Sequence, residues 1–197
     1  EDDERSGRVV LFTSTALAMS GFAAMGMEIV WFRHISILLG SFRAVFALLL
    51  TVILLGIAAG SLVSASIPRL ASRAAAAFVT AQALFIAATV LGLAWTDLGD
   101  GGRLGTRVAG SELWFNLRPI LSEVALPALL MGFSFPLANG IVQRVEERVG
   151  RRAGALYLAN TAGAVCGSLA AGFLMLPRLG IQGSTTILMI VAAVALV

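Results

Sequence analysis

Lysine is absent from this chain, and cysteine and histidine occur once each. All 14 basic residues are therefore arginine. They fall between apolar stretches rather than along one face, so the basic balance marks membrane-flanking positions and no nucleic-acid partner is expected. With Cys166 alone there is no internal disulfide and no cysteine cluster for a metal. The Gly132-Phe133-Ser134-Phe135 stretch loosely resembles an intramembrane serine-protease nucleophile. The single histidine, His34, is expected in an outer loop, where it has no defensible relation to Ser134. A glycine-rich string at 99–105 lacks the G-x-G-x-x-G spacing and a preceding strand, which argues against a nucleotide site. Paired carboxylates are missing too. These absences leave no catalytic residues to name and no cofactor or metal expected in this segment.

Charge itself is scarce. Only 13% of the residues are charged against 58% hydrophobic, and the mean hydropathy is +0.93. Such a chain lacks the polar surface of a soluble domain and belongs in a lipid bilayer. Crossing ~30 Å of hydrocarbon takes about 20 helical residues. Apolar runs of that order lie at 9–32, 43–66, 74–96, 119–142 and 153–176, and a sixth begins near Ser184. The sixth run ends in apolar residues at Val197, and the chain starts at Glu1 rather than methionine. Both observations raise the expectation that the natural polypeptide is longer. The acidic Glu1-Asp2-Asp3-Glu4 start and the length of the first run set it apart from a cleaved signal peptide.

An internal repeat runs through these spans. Gly56-Ile-Ala-Ala-Gly60-Ser61-Leu62 returns as Gly163-Ala-Val-Cys-Gly167-Ser168-Leu169, Met25-Gly26 as Met131-Gly132, and Pro68-Arg69-Leu70 as Pro177-Arg178-Leu179. The spacing predicts an all-α, six-helix bundle made as a 3+3 inverted repeat, like half of a major-facilitator-type transporter. Its parts are a polar segment at 1–8, a first three-helix repeat at 9–96, an outer loop at 97–118 and a second repeat at 119–197, cut short in its last helix. An N-terminus inside places Arg5, Arg8, Arg69, Arg73, Arg144, Arg148, Arg151 and Arg152 on the inner side. Arg33, Arg43, Arg103, Arg107, Arg118 and Arg178 then lie outside, a bias that the 144–152 loop decides. Both termini are predicted to be cytoplasmic.

Gly56 with Gly60, and Gly163 with Gly167, form close-contact faces, since residues four apart are neighbours on a helix and small residues let backbones approach in lipid. Pro119, Pro127, Pro136 and Gly132 make the fourth run a candidate for a kinked or broken helix. Glu28 is the acidic residue deepest in an apolar run and needs a partner, with Arg33 and Arg43 nearest by predicted depth. Two readings stand side by side, a proton or cation site and an interfacial structural ion pair. Glu123, one turn after Pro119, is expected at the interface. Asn160, Thr161, Gln82, Thr51 and Ser134 are expected to point into the bundle, where interhelical hydrogen bonds are the simplest role and a substrate-lining polar site the alternative.

Met25-Gly26-Met27-Glu28-Ile29-Val30-Trp31-Phe32-Arg33, Leu39-Gly40-Ser41, Gly60-Ser61-Leu62, Met131-Gly132-Phe133-Ser134-Phe135-Pro136-Leu137, Leu156-Tyr157-Leu158-Ala159-Asn160-Thr161-Ala162-Gly163-Ala164 and Gly167-Ser168-Leu169-Ala170-Ala171-Gly172-Phe173-Leu174-Met175-Leu176-Pro177 together resemble a known family. It is the membrane region of bacterial transmembrane spermidine synthase-like proteins, fusions of a major-facilitator-like part with a synthase. The resemblance covers nearly all of residues 15–190. It implies a bacterial inner-membrane location and a cytoplasmic aminopropyltransferase-like domain using decarboxylated S-adenosylmethionine and a polyamine. No catalytic residue of that domain maps onto this chain. Two other readings remain, a non-catalytic subunit docking with a membrane protein partner, and a small-molecule or polyamine transporter half that completes its pathway as a homo-oligomer.

Overall fold

The computed structural model describes residues 2–40, 43–67, 72–99, 109–143 and 149–196. The elements among them are helical throughout: α1 (Asp2–Leu39), α2 (Arg43–Ser66), α3 (Ala74–Gly99), α4 (Ala109–Ile120), α5 (Leu126–Gln143), α6 (Val149–Leu169) and α7 (Leu176–Val194). A π-helical turn, Leu121–Ala125, joins α4 to α5, and a second, Ala170–Met175, joins α6 to α7. Five continuous helical stretches are long and apolar enough to cross a membrane: Gly7–Leu39, Arg43–Ser66, Ala74–Trp95, Leu113–Val142 and Ala153–Val194. The protein is therefore a multi-pass, all-helical membrane protein.

Several sequence-based boundaries move. The first helix continues past residue 32 to Leu39, so His34 lies inside a helix and not in a loop. The connection expected at 97–118 is shorter, because α3 runs to Gly99 and α4 starts at Ala109. Five stretches appear where six runs were expected, since the fifth continues from Ala153 to Val194 through the place where the sixth was to begin near Ser184. Pro68-Arg69-Leu70, residues 100–108 with Arg103 and Arg107, and the arginine-bearing 144–148 lie outside the described residues.

Both π turns end two residues before a proline, Pro127 and Pro177. Proline has no N–H for the carbonyl four residues back, and its ring crowds that carbonyl, so a widened turn there relieves the conflict. The carbonyls concerned belong to Glu123 and Phe173. The fifth stretch is interrupted again at Gly180, whose φ of 66° and ψ of −168° are not helical. That backbone region is essentially confined to glycine.

Interhelical contacts give the directions. Built on glycine, a Cβ at Gly163 would lie 1.9 Å from the Ala18 carbonyl oxygen, one at Gly167 2.1 Å from that of Phe22, and one at Gly172 3.8 Å from the Ile29 side chain. The order rises together, so α6 runs parallel to α1. Beyond Gly180 the order reverses, for Leu188 packs against Gly26, below the level of Ile29. In the same way Gly56 meets Ala128, and Gly60 meets Leu129 and Gly132, so α2 and α5 are parallel. The most extensive contacts in the molecule are α1 with α6 and α2 with α5.

Trp31, Met27, Ile53, Phe85, Val124 and Leu188 centre the larger apolar core. Leu17, Phe78, Leu137 and Leu156 form a smaller one toward the other end of α1. Phe173, Leu158, Leu91 and Leu62 are exposed. A hydrocarbon surround accommodates such an outer surface, and packing of small residues rather than exclusion of water then holds the helices together.

Candidate functional site: a buried histidine–glutamate pair

Two ionisable side chains meet inside the bundle. The His34 Nδ1 lies 2.9 Å from Glu123 Oε1 and 3.1 Å from Oε2. Their side chains are 7% and 0% exposed. His34 comes from the last turns of α1, five residues before that helix stops at Leu39. Gly40 ends it with φ 89° and an N–H donated to the Ser36 carbonyl, a glycine C-cap.

Glu123 sits at the centre of the first π turn. α3 closes over the same turn through Gly92, where a Cβ would stand 2.8 Å from the Glu123 carbonyl oxygen. A side chain at 92 would push α3 away from the π turn that carries the carboxylate.

Nearer the other end of the same three-helix seam lies a second polar group, uncharged. Gln82 Nε2 donates to Ser20 Oγ and, at 3.2 Å, to Ser134 Oγ, while Ser20 Oγ donates to Ser134 Oγ at 3.4 Å. All three residues are buried. At ~1.5 Å per residue, Ser20 and His34 are about 21 Å apart along α1. Met27, Phe85, Val124 and Ala128, all in the larger core, fill the seam between the two polar stations.

The residues named from sequence are dispersed. Glu28 is half-buried and makes no hydrogen bond or ion pair among the described residues. Arg33 and Arg43 are exposed and neither pairs with it. Arg43 instead lines a shallow groove of about 230 Å³ with Phe32, Ile35, Ser36 and Phe46. Asn160 is half-buried, its Oδ1 occupying space left by the missing side chain of Gly21. Thr161 and Thr51, expected to face inward, are exposed; their hydroxyls donate to the carbonyls of Tyr157 at 2.8 Å and Ala47 at 2.7 Å. A threonine that satisfies itself on its own helix needs no bundle partner. Gln82 and Ser134 do face inward.

The glycine faces meet carbonyl backbones. Gly56 and Gly60 receive α5, and Ser61 Oγ adds a 2.9 Å hydrogen bond to the Gly132 carbonyl. Gly163 and Gly167 receive α1, but Ser168 Oγ turns back to Val165 O at 3.0 Å.

Glu123 is fully buried in the bundle and His34 is its partner; sequence reasoning missed the pair. A signal was present, because Ile35, Ile37, Leu38 and Leu39 continue the first apolar run past Arg33-His34. Among the described residues no group of three His, Cys, Asp or Glu side chains could hold a metal ion. Comparisons of the chain with protein-family models, curated proteins and solved structures find no match.

Proposed function

We propose that this chain is the membrane domain of a spermidine synthase-like protein, in which two three-helix units of opposite orientation place six crossing segments in a bacterial inner membrane. Both termini are cytoplasmic in this arrangement. The domain anchors, or supplies with substrate, an aminopropyltransferase-like domain that is not part of this chain.

The supporting observation is the reciprocity of the two glycine seams. The G-x-x-x-G-S-L of the first unit receives the opening helix of the second, α5, and the G-x-x-x-G-S-L of the second receives α1. A pseudo-two-fold axis in the membrane plane generates this exchange. The match is in kind and not in register. Gly167 meets Phe22 whereas its counterpart Gly60 meets Leu129 and Gly132, which follow Ala128, the residue equivalent to Phe22, by one residue and by about one turn. The reversal at Gly180 supplies the sixth segment, and the seams carry two of the motifs on which the family resemblance rests.

The test is to express the native gene with whatever follows residue 197, collect membranes, and assay aminopropyl transfer from decarboxylated S-adenosylmethionine to a diamine. Activity should sediment with membranes and become soluble when residues 1–197 are deleted. Inactive membranes containing the folded full-length protein would remove the enzymatic half of the reading. A stoichiometric membrane partner would then favour the subunit role.

A further inference from the structure

The anchoring role leaves unused the groove between the end of α1 and the start of α2, lined by Phe32 and Ile35 from the first helix and by Arg43, Phe46 and Leu49 from the second. We propose that this groove binds an anionic phospholipid. The lipid phosphate sits on the Arg43 guanidinium, and the upper part of one acyl chain lies along the apolar floor.

Packing fixes the walls. Ile35, Val45 and Leu49 line the groove and are buried members of the larger core, so the floor cannot shift without disturbing that core. Phe32 and Phe46 are more exposed and meet edge to face, with ring centroids 4.9 Å apart and planes at 87°, an arrangement that aromatic pairs favour. The volume of about 230 Å³ falls short of the roughly 300–1,000 Å³ of sites that enclose a small molecule. The groove therefore holds one part of a longer molecule.

Polarity is graded along its length. α2 has 24 residues and is about 36 Å long, against ~30 Å of hydrocarbon, so Arg43 at its start stands at headgroup level. Leu49, six residues on, lies about 9 Å deeper. A molecule running from Arg43 to Leu49 passes from the phosphate layer into hydrocarbon, as a phospholipid does.

Charge selects the headgroup. Arg43 is exposed, and among the described residues no carboxylate pairs with it. It opens α2, whose first turn has no acidic residue. At that position its cation adds to the positive end of the helix dipole instead of offsetting it. A phosphate resolves the conflict, accepting two N–H bonds from the planar guanidinium. The hydroxyl in the lining, on Ser36, is already committed to the Phe32 carbonyl at 2.6 Å, which leaves recognition to Arg43. Glu28, one turn below Phe32 on α1, is not among the lining residues, and no other carboxylate is. A cationic ligand thus finds no counter-charge, and a zwitterionic headgroup brings its own ammonium beside the guanidinium.

The test titrates the whole chain, in mild detergent, with dioleoyl phosphatidylglycerol or with phosphatidylcholine carrying the same chains, and counts bound lipid by native mass spectrometry. One phosphatidylglycerol should be held about tenfold more tightly than phosphatidylcholine, and Arg43→Gln should lose that preference. Arg178→Gln, which removes an exposed arginine outside the groove, should keep it. Equal retention of the two lipids, or a wild-type preference in Arg43→Gln, would overturn the proposal. An equal loss in Arg178→Gln would trace the preference to overall charge and overturn it as well. Glycerophosphoglycerol, the same headgroup without chains, should fail to displace the lipid; competition on equal terms would make this a site for free phosphate esters and sink the lipid reading. In native membranes a photoreactive benzoylphenylalanine in place of Phe46 should crosslink to lipid, whereas crosslinking to a protein would assign the groove to a partner chain instead. Should Arg43→Gln fail to fold, the comparison of the two lipids and the chain-free headgroup on the wild type decides by itself.

Discussion

Single atoms decide the tolerance of the glycines. Gly60→Ala would bring a methyl group to 1.9 Å from the Leu129 carbonyl oxygen, and that carbonyl belongs to a helix backbone with no rotamer to change. Overpacking of this kind costs about 1–3 kcal/mol. Gly154→Ala meets nothing within 4 Å and removes the backbone freedom of glycine from a helix, so it should be neutral or stabilising by up to about 1 kcal/mol. Thermal unfolding in detergent should show the first variant melting earlier and the second unchanged or later. A similar contrast separates the polar residues. Gln82→Leu strips Ser20 of its donor and leaves Ser134 only the long bond from Ser20, and should cost about 1–2 kcal/mol, whereas Thr161→Val loses only a bond to its own helix and should cost less than about 0.5 kcal/mol. Equal melting shifts for the two would contradict the buried network. The inward reading of Gln82 was correct because an amide cannot satisfy itself on its own helix as a hydroxyl can, and Ser134 faces inward to accept from that amide. That difference is also why Thr161 and Thr51 were misplaced.

At the scale of elements, the extent of α2 was legible residue for residue, since its apolar run is bounded by Arg43 and by Ser66. α1 was cut short because Arg33 and His34 resemble a span end, although the helix continues beneath them to Leu39. The burial of Glu123 was hidden by the same habit. Counting from Pro119 places it one turn into a helix, but the helix begins at Ala109 and proline lies within it. No periodicity announces a π turn, yet the proline two residues beyond each one supplies a chemical reason. Pro127→Ala should restore the N–H that the Glu123 carbonyl lacks, tighten the turn and rotate the carboxylate away from His34; the ring-nitrogen shifts of the single histidine, read by ¹⁵N-histidine NMR, should then move as the contact between Nδ1 and Glu123 is lost. Gly180→Ala acts differently. Nothing stands within 4 Å of it, but φ of 66° with ψ of −168° is strained for any residue with a side chain, at about 1–3 kcal/mol. Its melting point should fall despite the open space, unlike that of Gly154→Ala.

For the whole molecule, the repeated motifs made the membrane class and the glycine faces readable in advance, while the partners of those faces required the folded chain. The proposed six crossings make a direct prediction. In a Cys166→Ala background, Gly7→Cys and Leu196→Cys should react with an impermeant maleimide from the same side of the membrane, and Arg43→Cys and Arg178→Cys from the other. Labelling of the two terminal sites from opposite sides would leave five crossings.

The crossed seams also govern the order in which the protein can be made. α1 and α2 hold their most extensive contacts with α6 and α5, elements that follow them in the chain, and touch each other far less. During synthesis the first three helices must therefore wait in the bilayer with Gly56 and Gly60 uncovered until α5 arrives, and α1 must wait longer for α6. A nascent chain halted after α3 would expose an open backbone groove, a natural signal for membrane chaperones and proteases that survey unfinished proteins.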